Sequence, residues 1–345
     1  MKKVVVIGGG FAGSLIAREL EQEYEVTLID TKSYFEFTPG ILRTLVEPQH
    51  AAHIQVEHAH YLRRASILVG EVSDVTPSLV FVGKKKIPFD YLALCSGSSY
   101  NAPIKEQHVV LASRSSHLLN AYHQLSAAES VLIIGGGIVG VELAAEILTH
   151  YGNKELTLVH QGATLIERNH PLSGRIATRF LQKRGARIIF NERVEDAHAH
   201  TFVTSQGRHL EADIAFLCTG IIPNYAFLKR YLGSALTLQN TIRVNPTLQV
   251  AGFPHIFAAG DINDIQIEKT AQNAEHQARV VVSNIRALER NEALKVYGTR
   301  KTPMVISLGK YHGIFEYRNF VISGIIPAFL KAAIEKREML KKRAW

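Results

Sequence analysis

Two short stretches decide the fold: VVVIGGGFAG, residues 4–13, and VLIIGGGIVG, residues 131–140. Each begins as a β-branched run suited to a buried strand and continues into a helix-like run, FAGSLIAREL or IVGVELAAEI. In this strand–turn–helix setting one glycine makes the tight turn, one admits a pyrophosphate to the backbone, and one lets helix pack on strand. These are Gly8, Gly10 and Gly13 in the first copy, and Gly135, Gly137 and Gly140 in the second. The helix N-terminus that follows offers free N–H groups and the positive end of the helix dipole to an anion. One such turn is a weak signal. Two, each followed at a similar distance by a second strand (EVTLID and ELTLVH), argue for a duplicated nucleotide-binding unit.

A second echo supports duplication. FDYLALCSG, residues 89–97, matches ADIAFLCTG, residues 212–220, at a constant offset of 123. It sets Cys95 and Cys218, the only cysteines, at equivalent strand ends of separate units, where they are not expected to pair. The expected class is α/β, with two Rossmann-like dinucleotide-binding domains and a small C-terminal segment. Residues 1–115 and 243–300 form the first domain, 116–242 the second, and 301–345 the C-terminal segment. The polar stretch containing SSYNAPIKEQ, within 98–130, is read as the crossing between units. KTAQNAEHQARVVVSNIRALE, from Lys269, is read as a helix of about six turns.

The chain has 345 residues, 46% of them hydrophobic, enough for more than one core. Two cysteines exclude a disulfide-stapled scaffold and fit a reducing, cytoplasmic setting. The start reads directly as a strand with no leader, and Lys2 replaces the glycine that myristoylation needs. Of the formal charge of +8, an excess of four lies in residues 331–345. Such a tail suits an anionic membrane surface, an acidic protein or nucleic acid. The apolar run Phe320–Leu330 is too short to span a bilayer. Beyond Pro327, Phe329, Leu330, Ala333, Ile334 and Leu340 recur near one helical face. Lys331, Lys336, Lys341, Lys342 and Arg343 take polar positions, as in a helix lying in a membrane interface.

At IFAAGD, residues 256–261, a further signature joins the two turns and the two strand ends. Together they resemble the two-dinucleotide-binding-domain flavoproteins over essentially the whole chain. Within these, GVELAAE, LTLVHQ, FLCTG, AQNAEHQA and SLGKYHG are most similar to the type II NADH:quinone oxidoreductases and the ferroptosis suppressor protein group. The tail departs from that pattern: it is shorter, and its Trp345 is terminal. The resemblance implies noncovalent FAD in the first unit, NADH or NADPH in the second, hydride transfer to flavin N5, and two electrons passed on to a quinone. It implies no specific nucleic acid, allows a homodimer, and places the protein peripherally on a membrane. A reductase of a ferredoxin or rubredoxin, and a flavin-bound signalling protein like apoptosis-inducing factor, are the competing readings.

Asp30 ends the second strand, where a carboxylate accepts hydrogen bonds from the adenosine ribose. By resemblance the FAD site also includes Phe11, Ala12, Lys32, Gly97, Gly260, Asp261 and Ala271, with Asp261 on the ribityl chain. The NAD(P)H site includes Ile138, Val139, Glu142, His160 and Gly220. Glu142 is expected to position the nicotinamide, and Gln272 and Gln277 to serve the quinone. Glu146 reads as structural. His160 stands where Asp30 stands in the first unit, and without an acid there NADPH is expected to be tolerated beside NADH. No cysteine occurs in SYFEFTPGILRTL, residues 33–45, which argues against a covalent flavin and a sulfide:quinone or coenzyme A-disulfide reductase. Phe35 and Phe37 there either line the acceptor pocket or pack. Sixteen histidines, including VEHAHY and EDAHAHTF, suggest no zinc site, because paired histidines alone leave it incomplete.

Overall fold

The computed structural model describes residues 1–100, 109–111 and 115–344; much of the crossing expected within 98–130, and Trp345, lie outside the described residues. The strand Lys3–Ile7 runs parallel to Glu25–Asp30 on one side (Val4 opposite Val26) and to Tyr91–Leu94 on the other (Val4 opposite Tyr91). Ser66–Val69 extends the sheet beyond Glu25–Asp30. Phe253–Ala258 extends it beyond Tyr91–Leu94, and Gln249–Val250 closes that edge antiparallel.

The second sheet repeats this order. Ser130–Ile134 lies parallel between Glu155–His160 and Ile214–Leu217, with Arg187–Phe190 and Val109–Leu111 outside them. Each sheet is interrupted at the same point by a three-stranded antiparallel meander: Val72–Val75, Leu79–Val82 and Lys85–Pro88 in the first, Val194–His198, Thr201–Thr204 and His209–Glu211 in the second. Tyr91–Leu94 and Ile214–Leu217 are buried at every residue, as parallel strands covered on both faces require. The units meet where Ser98–Tyr100 pairs antiparallel with Ile221–Pro223.

Returning to the first unit, the chain forms the helix Ala271–Glu289, which packs along Phe11–Leu20. It begins later than the sequence suggests because Thr270 caps it: the Thr270 hydroxyl accepts the Asn273 N–H at 3.3 Å. Met304–Ser307, Gly313–Tyr317 and Phe320–Gly324 then form an antiparallel sheet that feeds the helix Ile325–Ala344. Pro327 lies in the first turn, where its missing N–H has no intrahelical partner to lose.

This C-terminal helix departs from expectation at two of its lysines. Lys331 and Lys342 point into the protein, while Ile325, Ile326, Phe329, Leu330 and Leu340 are exposed. Partners draw both lysines inward. Lys342, 2% exposed, donates to Ser14 Oγ at 2.6 Å and lies over the rings of Phe35 (4.6 Å) and Tyr61 (5.1 Å). Arg343 donates to the Ala52 carbonyl, and Glu335 pairs with His50 at 3.2 Å.

Burial pushes the Lys342 ammonium down to about 7, against the pull of Glu275 and Glu338 and with the help of Lys341. The unfolded lysine holds its proton to about pH 10.4. Between those values the unfolded chain binds the extra proton, so native stability rises with pH across that window. The stability of the native protein relative to Lys342→Met, measured by urea unfolding, is therefore expected to improve from about pH 7 to about pH 10; a flat difference would contradict the assignment.

Candidate functional site

Both glycine turns are built by contact. Gly8 and Gly135 are left-handed, with φ of +97° and +110°. A Cβ on Gly8 would lie 2.2 Å from the Cys95 carbonyl oxygen, and one on Gly135 would lie 2.6 Å from that of Cys218. One on Gly13 or Gly140 would come within 1.8 or 1.9 Å of the oxygen of Gly8 or Gly135, so each helix sits directly on its own turn. The space off Gly10 and Gly137 is instead open, and neither helix has a side-chain cap. Uncapped N–H groups facing open space fit the pyrophosphates of FAD and of a pyridine nucleotide. Phe11, Ala12, Ile138 and Val139 occupy the first turns of these helices.

Asp30 lies beside the first turn and accepts the Gly9 N–H at 2.6 Å and the Lys32 N–H at 3.1 Å. Burial acts to raise its pKa, but His58 and these backbone donors outweigh it and hold the carboxyl below its usual value. His58 is fully buried, 3.5 Å from Asp30 through Nε2 and 2.6 Å from the Tyr61 hydroxyl through Nδ1. In VEHAHY, His58 and His60 lie on a short helix, His58–Tyr61. Among the described residues no His/Cys/Asp/Glu group could hold a metal ion. The Lys32 ammonium pairs with Glu36 at 3.2 Å, and Phe35 and Phe37 pack edge-on against Phe11.

Gly97, Gly260 and Gly220 all take left-handed φ at strand ends. Asp261 accepts the Ser98 hydroxyl at 2.7 Å, which ties the IFAAGD turn to the unit crossing. Gln277, 1% exposed, accepts the Gly260 N–H at 2.7 Å and the Asn263 amide at 2.8 Å. It braces that turn. Gln272 is exposed and reaches the Pro303 carbonyl at 3.3 Å, and Ala271 opens the helix above.

Glu142 opens toward a separate cleft that also reaches Arg43, His50, Glu146, Ser307 and Lys331. Gln272 and Gln277 are not among its lining residues. Glu142 accepts the Ser307 N–H at 2.7 Å and the Lys331 ammonium. Glu146 accepts the Arg43 guanidinium at 3.0 Å and the Ser307 hydroxyl at 3.3 Å. Ser307 begins the SLGKYHG segment, and Gly309 within it lies against Thr149, 2.4 Å from a would-be Cβ. Sequence reasoning missed Lys331, Arg43 and Ser307, which become neighbours of Glu142 and Glu146 only through the tertiary fold. Cys95 and Cys218 are buried, free, and pushed up to about 12 by desolvation.

Residues 2–278 match the family described as pyridine nucleotide-disulphide oxidoreductase. Ferroptosis suppressor protein 1 of Homo sapiens is 27% identical over 99% of this chain and 94% of its own length. The fold superposes on the sulfide:quinone oxidoreductase of Aquifex aeolicus (TM-score 0.88, 21% identity, 100% of this chain and 92% of that one). It also superposes on NDH2 of Plasmodium falciparum in complex with NADH (TM-score 0.86, 14% identity, 99% and 97%). Hydrogen bonds to a charged acceptor contribute about 1.5–3 kcal/mol. Asp30→Asn is therefore expected to weaken FAD binding roughly tenfold to hundredfold when apoprotein is titrated with FAD by fluorescence quenching; unchanged affinity would remove Asp30 from the site.

Proposed function

The chain belongs to the pyridine nucleotide-disulphide oxidoreductase family and is an FAD-dependent oxidoreductase of NADH or NADPH; from that premise we propose that it delivers the electron pair to a quinone at a membrane surface. When bound, FAD supplies the ring that accepts hydride at N5 and gives up an electron pair. The observation that carries the proposal is the junction of a polar cleft and an apolar ridge on one element. The C-terminal helix sends Lys331 inward to Glu142 while its outer side exposes Ile326 (69%) and Phe329 (67%) beside Ile325 and Leu330.

A quinone has the matching chemistry: a head that takes up two electrons and two protons, and an apolar remainder. Glu142 and Lys331 form a hydrogen-bonded acid–base pair at the cleft, able to hold a proton for that head and to orient a dinucleotide from the second cradle. Arg43 and Ser307 keep Glu146 fixed behind it. The buried thiols of Cys95 and Cys218 are held in the protonated, unreactive form, so the acceptor has no dithiol to draw on there. Lys336, Arg337 and Arg343 add positive charge around the apolar ridge. That composition suits peripheral attachment to an anionic leaflet on the cytoplasmic side. Among the described residues no helix is long and apolar enough to cross a membrane.

The test is anaerobic: the flavin is bleached with NADH or NADPH, and a soluble quinone, a ferredoxin and oxygen are then offered separately. The proposal expects the quinone to restore the yellow colour fastest. It also expects Glu142→Gln to slow turnover roughly hundredfold, the lower end of the range for a positioned acid or base. A ferredoxin that outruns the quinone, or unchanged reduction and turnover in Glu142→Gln, would overturn it.

A further inference from the structure

The second cradle carries an acid that its strand end lacks. In the first unit Asp30 accepts the Gly9 N–H; at the same place in the second, His160 Nδ1 accepts the Gly136 N–H at 3.2 Å. That bond fixes the His160 proton on Nε2, which is buried and lies 3.8 Å from Glu167 Oε1. The Glu167 carboxylate folds back over the strand end so closely that a Cβ on Gly162 would lie 1.5 Å from its Oε1.

The loop that presents it is held rigidly. Ile166 donates its N–H to the Gly136 carbonyl at 2.8 Å and sits at φ +47°, a left-handed conformation that a β-branched residue adopts only under constraint. Beyond it, Glu316 accepts from the Asn169 amide and the Ser173 hydroxyl, both at 2.6 Å. Burial lowers the pKa of His160, with Glu167 and a backbone hydrogen bond to Thr164 opposing.

We propose that Glu167 reads the adenosine ribose of the pyridine nucleotide and selects NADH over NADPH. The ribose diol can donate to the Glu167 carboxylate while accepting from His160 Nε2–H, which satisfies both groups. A 2′-phosphate would bring its negative charge against the same carboxylate. This reverses the tolerance of NADPH expected from the strand end alone.

The inference rests on the family-level reading that a pyridine nucleotide reduces bound FAD here. The flavin-loaded protein is mixed anaerobically with NADH, NADPH or reduced nicotinamide mononucleotide, and bleaching is followed against concentration. The native protein should need at least about tenfold more NADPH than NADH for half-saturation, since like charges at this range are separated by about that factor or more. Glu167→Gln should shrink the ratio roughly tenfold, chiefly by improving NADPH. The response to the mononucleotide, which has no adenosine ribose for Glu167 to read, should not follow that change. A native ratio near one, or the same ratio in Glu167→Gln, would overturn the assignment while leaving the family reading intact. Bleaching by none of the three would overturn both.

Discussion

The contact on which this structure depends is the seating of a helix on the turn that precedes it, with Gly13 against the Gly8 carbonyl and Gly140 against the Gly135 carbonyl. No side chain fits there, so glycine is fixed by steric exclusion. With the helix that close, its first N–H groups face the open space off Gly10 and Gly137, and the neighbouring strand end falls within hydrogen-bond reach of the turn. Sheet order, anion cradle and the placement of Asp30 and His160 all follow from that one approach.

The two copies share this frame and differ in what surrounds it. The first is braced from behind: Asp30, His58 and Tyr61 are in succession, and Lys342 of the C-terminal helix is bonded to Ser14 beside Tyr61. The second meets the same helix at Lys331, and the C-terminal sheet at Ser307 and Glu316. One terminal element therefore touches both nucleotide units, which is why a cleft containing Glu142 can also be lined by Arg43 and His50 from the first unit.

The fold was legible because its decisive signals are local: a β-branched strand, three glycines at fixed spacing and a helix, twice over. Asp30 was legible for the same reason, as a residue at a set distance along the chain. The partners of Glu142 were not, because Lys331 is 189 positions away and looks like one more charge on an amphipathic helix. Reading that helix by periodicity assigned Lys342 to the polar side; burial against Ser14, Phe35 and Tyr61 reverses it, an effect of tertiary partners that no window of sequence contains. His58 stood out only as one of many histidines, and the hydrogen bonds of the buried Gln277 amide to Gly260 and Asn263 were not legible at all.

The account holds that both cradles serve one exchange and that the flavin is the only electron store, since Cys95 and Cys218 end strands of different sheets and are buried as unreactive thiols. The most direct measurement is an anaerobic dithionite titration of the flavin-loaded protein that counts electrons taken up per chain. Full bleaching at two electrons, with no further uptake, is the predicted result. Uptake of four, as a flavin with a redox-active disulfide would require, would contradict it.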